Sequence, residues 1–303
     1  MKVSESKTMR VTEGSIAQNY LYTVGKTRER IVKLQTQLAS GVKVSKSSDD
    51  PQATDTILRL TESKNLREKY KNNASEGQGF ADTTAVTLGQ FADVLASLKD
   101  IVVRGSTADN PSDMATYGAS VDQLLSEAVD IANTRFNGKF IFGGTQTMDA
   151  PYKLSAGRSA VEKNPKGIDG VIEYQVGENI SNQINISGEQ GLQGTQIFDI
   201  MIQLRDSFNN GTFQSAAFLP QVENALNHVL DQASYAGSFS EHFQAVTDNL
   251  DEQENQLTQY LSLVQDTDVA EATMKLKNEE TMLDAALNTG ARVIPKSLMD
   301  FLQ

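Results

Sequence analysis

The chain has 303 residues, a formal net charge of -12, 39% hydrophobic residues, and neither cysteine nor tryptophan. With a mean hydropathy of -0.38 it suits elongated helices with narrow buried seams better than one compact globule, and its length admits two or three domains. The acidity and the lack of a basic stripe speak against a nucleic-acid partner, and the missing thiols exclude disulfides and thiolate zinc sites.

The first segment, "MKVSESKTMRVTEGSIAQNY", is polar and has no apolar core of the kind a secretory signal needs. No apolar run is long enough to span a bilayer. Composition alone therefore points to the cytoplasm, unless export uses a route without a cleaved signal. Residues 16–40 predict an amphipathic helix. Leu21, Val24, Ile31 and Leu38 fall at coiled-coil-like steps, Arg28 fills the intervening slot, and Leu34 widens the stripe. Gly41 is its expected stop. A polar connector follows, and then "SKSSDDPQATDT" at 45–56 poses a choice. Asp49-Asp50 could be a catalytic or metal-binding carboxylate pair, or a helix start. Asp50 at the N-cap with Pro51 at the first helical position favours the start, because the carboxylate accepts free N–H groups and proline loses none there. Only Asp55 lies near enough in sequence to complete a metal site.

From Pro51 a helix is predicted to about residue 75, through Ile57, Leu60, Leu66 and Tyr70. Another is expected over 77–105, carrying Phe80, Phe91, Leu95 and Leu98, and a fourth over 112–136 after the Gly105, Asn110, Pro111 break. The pattern then changes. In "NGKFIFGG" at 137–144, Phe140 and Phe142 share one face of an extended run bracketed by Asn137-Gly138 and Gly143-Gly144. "VIEYQV" and "ISNQINI" flank Gly177-Glu178-Asn179 and predict a hairpin or strand pair. Helix returns over 196–208, and again from 214 or 219 to about 264, with Leu250, Leu257 and Val264 spaced by seven. After "QDTD" the sevenfold spacing resets at Val269, Leu276 and Leu283, flanked by Ala272, Ala286 and Leu287. That implies two helical segments or one helix with a phase shift.

The expected fold is mainly α with a small β-rich insert: an elongated, multi-domain helical bundle whose N- and C-terminal coiled-coil-like helices pair. The expected domains are 1–45 with 265–303, 46–150 with 196–264, and the insert 151–195. The candidate assembly seam is Leu21, Val24, Ile31, Leu38, Val269, Leu276, Leu283 and Leu287. Chemistry finds no foothold. His228 and His242 are fourteen residues apart on one predicted helix, and "GKTRER" at 25–30 and "GEQGLQG" at 188–194 do not complete a phosphate loop. No catalytic, cofactor or metal residue is expected.

Three blocks carry a resemblance. They are "KLQTQLASGVKVSKSSDDPQATDT" (33–56), "IANTRFNGKFIFGGTQTMDAPY" (131–152) and "DTDVAEATMKLKNEETMLDAALNTGARVIPKSLMDFL" (266–302). Together they resemble the bacterial flagellin family, and the block with Phe140, Phe142, Gly143 and Gly144 resembles its junction proteins most. The resemblance implies a structural part, not an enzyme. Terminal helices would form an inner layer and the insert would face outward. The part would be an adaptor joining the hook, through a neighbouring hook-associated protein 1, to the flagellin filament; the alternative is the filament subunit itself. It further implies a ring of copies, an export chaperone, and export through the flagellar type III apparatus without a cleaved signal peptide. No nucleic acid and no membrane insertion are expected, since a membrane-active helical protein would suit anionic lipid poorly at this charge. Chains of this family often begin close to a Met-Arg-Val or Met-Arg-Ile start, here Met9-Arg10-Val11, so residues 1–8 stand as a departure.

Overall fold

The structure, a computed structural model, describes residues 13–107 and 110–293. The leader before Met9, Pro295 and the "SLMDFL" block lie outside the described residues. In chain order come α1 (Glu13–Ser40), α2 (Pro51–Gly105), α3 (Pro111–Ala132), β1 (Arg135–Phe136), β2 (Lys139–Phe140), β3 (Tyr152–Leu154) and β4 (Val161–Lys163). They are followed by β5 (Glu173–Gly177), β6 (Ile180–Gln183), α4 (Gly188–Gly191), α5 (Gln196–Asn209), α6 (Ser215–Gln265) and α7 (Val269–Val293). The strands form three separate antiparallel pairs, so the fold is mainly α with a small β-rich insert.

Three expectations need correction. The helices expected over 51–75 and 77–105 are one helix, α2. Gly77 does not break it; it makes room. A Cβ there would sit 3.0 Å from the Phe243 ring, so the glycine lets α6 pack closely. Next, α3 stops at Ala132 rather than 136. Asn133 leaves the helix and exchanges two hydrogen bonds with the Tyr152 backbone, while Asn137 and Gly138 take left-handed φ values of 48° and 79° and turn the chain between β1 and β2. Finally, strand pairing ends at Phe140, and residues 141–145 are turns. Gly144 has φ 55°, and a Cβ there would lie 2.6 Å from the Gly170 nitrogen, so the chain turns away directly after Phe142.

Two compact units emerge. Residues 65–254 form one of them. Within it α2 and α6 run antiparallel, as the partners Lys71–Asp251, Gln78–Gln244 and Lys99–Glu223 show by their opposite order. The core between them is filled by Leu88, Phe91, Leu95 and Leu98 of α2, Val121 and Leu125 of α3, Phe198 and Leu204 of α5, and Val229 and Phe243 of α6. Phe91 meets Phe198 edge-on with centroids 5.8 Å apart, and Tyr152 adds a third ring to that cluster. The β5–β6 hairpin is fastened to α2 through Tyr174, whose hydroxyl donates to Glu76 at 2.9 Å beside Lys139. Both histidines serve the same insert. His242 meets Asn182, and His228 Nε2 donates to the Gln190 carbonyl, each at 2.8 Å.

The other unit comprises 1–64 and 255–303, described here within the residues stated above. The partners Tyr20 with Ala286, Arg30 with Glu279, and Gly41 with Thr267 follow one another in opposite directions. The helices α1 and α7 therefore pair antiparallel. The long α6 pattern ends at Gln265 and a new helix starts at Val269, which decides for two segments over one shifted helix.

Candidate assembly surface

The two connectors of this unit lie side by side. Lys43 N–H donates to the Gln265 carbonyl at 2.7 Å and Thr267 N–H to the Gly41 carbonyl at 2.8 Å, forming a single antiparallel bridge between Val42 and Asp266. Gly41, at φ 71°, ends α1 and turns the chain into this bridge. Each following helix starts on an aspartate. Asp50 Oδ1 accepts from Gln52 N–H at 3.1 Å and Ala53 N–H at 2.9 Å. Asp268 Oδ1 accepts from Ala270 and Glu271 N–H at 2.9 and 3.0 Å. Asp49 turns the other way. Lys33 of α1 reaches it at 2.8 Å, and that hydrogen bond first of all holds the Asp49 carboxyl below the usual carboxylate range. The aspartate pair is thus divided between a helix start and a tether to α1.

Above the bridge, α1 and α7 hold one another by a narrow seam. Val24 and Ile31 are buried, Ala272 is buried opposite, and Leu38, Leu276 and Leu283 are half-buried. Arg30 clasps Glu279 with two bonds of 2.8 and 2.9 Å, and the Tyr20 hydroxyl donates to the Ala286 carbonyl at 2.9 Å. The remaining seam positions are open: Leu21 is 63% exposed, Val269 60% and Leu287 43%. Val32, Met274 and Met282 are also more than half exposed. A pair of helices has only one mutual face, so a wide apolar stripe cannot all be covered by two. Sequence reasoning missed Asp268, Met274 and Met282. An aspartate immediately before the first heptad position, and methionines at an eight-residue interval on that helix, were the available signals.

In the other unit Phe140 and Phe142 are both buried. The Arg135 guanidinium lies over the Phe140 ring, 4.1 Å from its centroid. Gly143 is pressed against Gln146, where a Cβ would be 2.7 Å from the carbonyl oxygen. This block closes the end of α3 onto the insert from within. Among the described residues no cluster of three or more His, Asp or Glu could hold a metal, and no helix is long and apolar enough to cross a membrane. "GKTRER" is continuous helix inside α1.

Comparison with known proteins agrees with this layout. Residues 11–147 match the bacterial flagellin N-terminal helical region and residues 219–302 the bacterial flagellin C-terminal helical region. Flagellin of Bacillus subtilis is 21% identical over 97% of this chain and 100% of its own length. Flagellar hook-associated protein 3 of Escherichia coli is 23% identical over 72% of this chain and 66% of its own. Among solved structures, flagellar hook-associated protein 3 of Legionella pneumophila superposes with a TM-score of 0.61 at 13% identity, covering 69% of this chain and 98% of that one. Bacillus cereus FlgL does so with a TM-score of 0.56 at 17% identity, covering 67% and 99%. Matched at both of its helical ends, with the insert between them, the chain belongs to the bacterial flagellin family.

Proposed function

We propose that the chain is a structural subunit of the flagellum, working as the adaptor that joins the hook, through hook-associated protein 1, to the flagellin filament. One observation carries the assembly role: the paired α1 and α7 leave Leu21, Val32, Val269, Met274, Met282 and Leu287 exposed. Each such side chain, once fully buried, contributes roughly 1.5–3 kcal/mol. Other copies supply the missing face, and a closed ring is the arrangement in which every copy finds one. In this reading the pair α1–α7 with 1–45 and 265–303 is the inner layer, 46–150 with 196–264 the next, and 151–195 the outward insert. The chain reaches the cell exterior through the flagellar export apparatus without a cleaved signal, held by a chaperone beforehand. It catalyses nothing.

The choice of junction over filament rests on relatives. The hook-associated proteins above share the fold across nearly the whole of their solved chains. The second reading, a filament subunit, is favoured by the end-to-end match with Bacillus subtilis flagellin. Counting copies per flagellum by quantitative mass spectrometry separates the two: a small fixed number supports the junction, thousands the filament. For the assembly face itself, the variant Met274→Asp/Met282→Asp is expected to fold as the native chain does and to be lost from isolated flagella. Its normal incorporation would refute the role given to α1–α7.

A further inference from the structure

The β3–β4 hairpin is held in two different ways. Its base is locked by packing, for Tyr152 and Val161 are buried and Asn133 grips the Tyr152 backbone. Its tip, residues 155–160, has no such anchor. Gly157 is open to solvent, and the tip's own bonds are three: Ser155 N–H to the Ala160 carbonyl, Arg158 N–H to the Ser155 carbonyl, and Ala160 N–H to Ser155 Oγ. Arg158 itself sits at φ 56°, a left-handed conformation that a side-chain-bearing residue adopts at a cost of about 1–2 kcal/mol. The turn therefore does not favour itself.

What opposes that cost is a cluster of ions on α3 and α5. Arg158 meets the Asp122 carboxylate at both oxygens, with Nε at 3.0 Å and Nη2 at 2.9 Å. Its Nη2 also donates to the Asp122 carbonyl at 2.9 Å and to Ser126 Oγ at 2.5 Å. Behind it stands Arg205, only 11% exposed, which donates to Asp122 at 3.1 Å and to the Arg158 carbonyl at 2.6 Å while Asp206 holds its other edge. Arg205 thus fixes both the carboxylate and the backbone that bears the incoming guanidinium. Alongside the tip lies an open groove of about 420 Å³, to which α3 contributes Ala115, Gly118, Ala119 and Asp122.

We propose that residues 155–160 are a latched flap, closed by Arg158 onto Asp122 and Ser126 with Arg205 positioning the keeper, and that breaking this one cluster frees the tip from α3 while strands and helices stay folded. The device is independent of the reading of α1–α7 as an assembly face.

Hydrogen exchange followed by mass spectrometry tests it on the full chain. In Asp122→Ala, amides of 155–160 are expected to exchange at least tenfold faster than in the native chain, with peptides from the middle of α3 and α5 unchanged. In parallel, trypsin should cut after Arg158 at least tenfold faster, since its side chain is no longer engaged. The variant Arg158→Gly supplies a second arm that suits the left-handed turn and lacks the guanidinium. Fast exchange at the tip in both variants supports the latch. Native-like slow exchange in Arg158→Gly would show that the turn and the Arg205 bond to the residue-158 carbonyl hold the tip without the guanidinium, and would overturn it. Loss of protection throughout α3 in both variants would equally overturn it, because the cluster would then be part of the core's stability and not a release point.

Discussion

At the scale of single residues, position relative to a helix end decides what a charge does. Asp50 caps α2 with two backbone bonds. Asp50→Ala should cost about 1 kcal/mol of stability, read as a lowered denaturant midpoint. Such a cap is legible in a sequence because all its parts are adjacent. The partner of Asp49 is not: Lys33 lies on another helix, and nothing in the spacing names it. Asp122 shows the same limit more strongly, since its two guanidiniums come from a hairpin and from α5. Burial pushes its carboxyl up, and the hydrogen bonds from Arg158 and Arg205 outweigh that and leave it below the usual range. The sign follows from linkage. A carboxyl depressed in the folded state stabilises above its unfolded value of about 3.9 and loses that contribution as pH falls through the folded one. Thermal melts of native chain and Asp122→Asn should therefore differ near neutral pH and converge once the pH drops well below 4.

At the scale of elements, periodicity located the long helices and most of their ends, but it broke α2 near residue 76 and ran α3 on to 136. A glycine in a helical pattern has two meanings, a break or a close contact, and only the partner distinguishes them. Gly77 is the second kind because Phe243 arrives from α6, more than 160 residues away in sequence. The same logic applies to the bend at Gly143-Gly144, which the aromatic alternation of Phe140 and Phe142 concealed. Packing at these points is tight enough to measure. A methyl at Gly188 would stand 2.6 Å from the Tyr152 hydroxyl and 2.9 Å from the Phe142 carbonyl, so Gly188→Ala should destabilise by about 1–3 kcal/mol through overpacking. Phe91→Ala, which removes a fully buried ring, should cost about 3–5 kcal/mol, and both are checked by urea unfolding. The sevenfold spacing told which helices carry a seam. It could not tell which seam positions the partner covers, because Val24 and Leu21 look alike in sequence and differ only in what lies across from them.

At the scale of the whole molecule, the two units are unequal in how they are secured. Residues 65–254 enclose a core of stacked aromatic and aliphatic side chains, whereas α1 and α7 bury few of theirs. Amide exchange should accordingly be far slower at 88–102 of α2 than along α1 and α7 in the isolated chain, with the difference narrowing once copies associate. Equal protection in both places would mean that the helix pair needs no further subunits. What joins distant parts also sets a timetable. The Tyr20 hydroxyl waits for a carbonyl 266 residues downstream, and Lys43 for one at Gln265. Contacts so remote close slowly, because the chain must lose the freedom of a very long loop before any of them forms. A chain emerging from the ribosome amino end first therefore carries an α1 without its helical partner until α7, which begins at Val269, has been made.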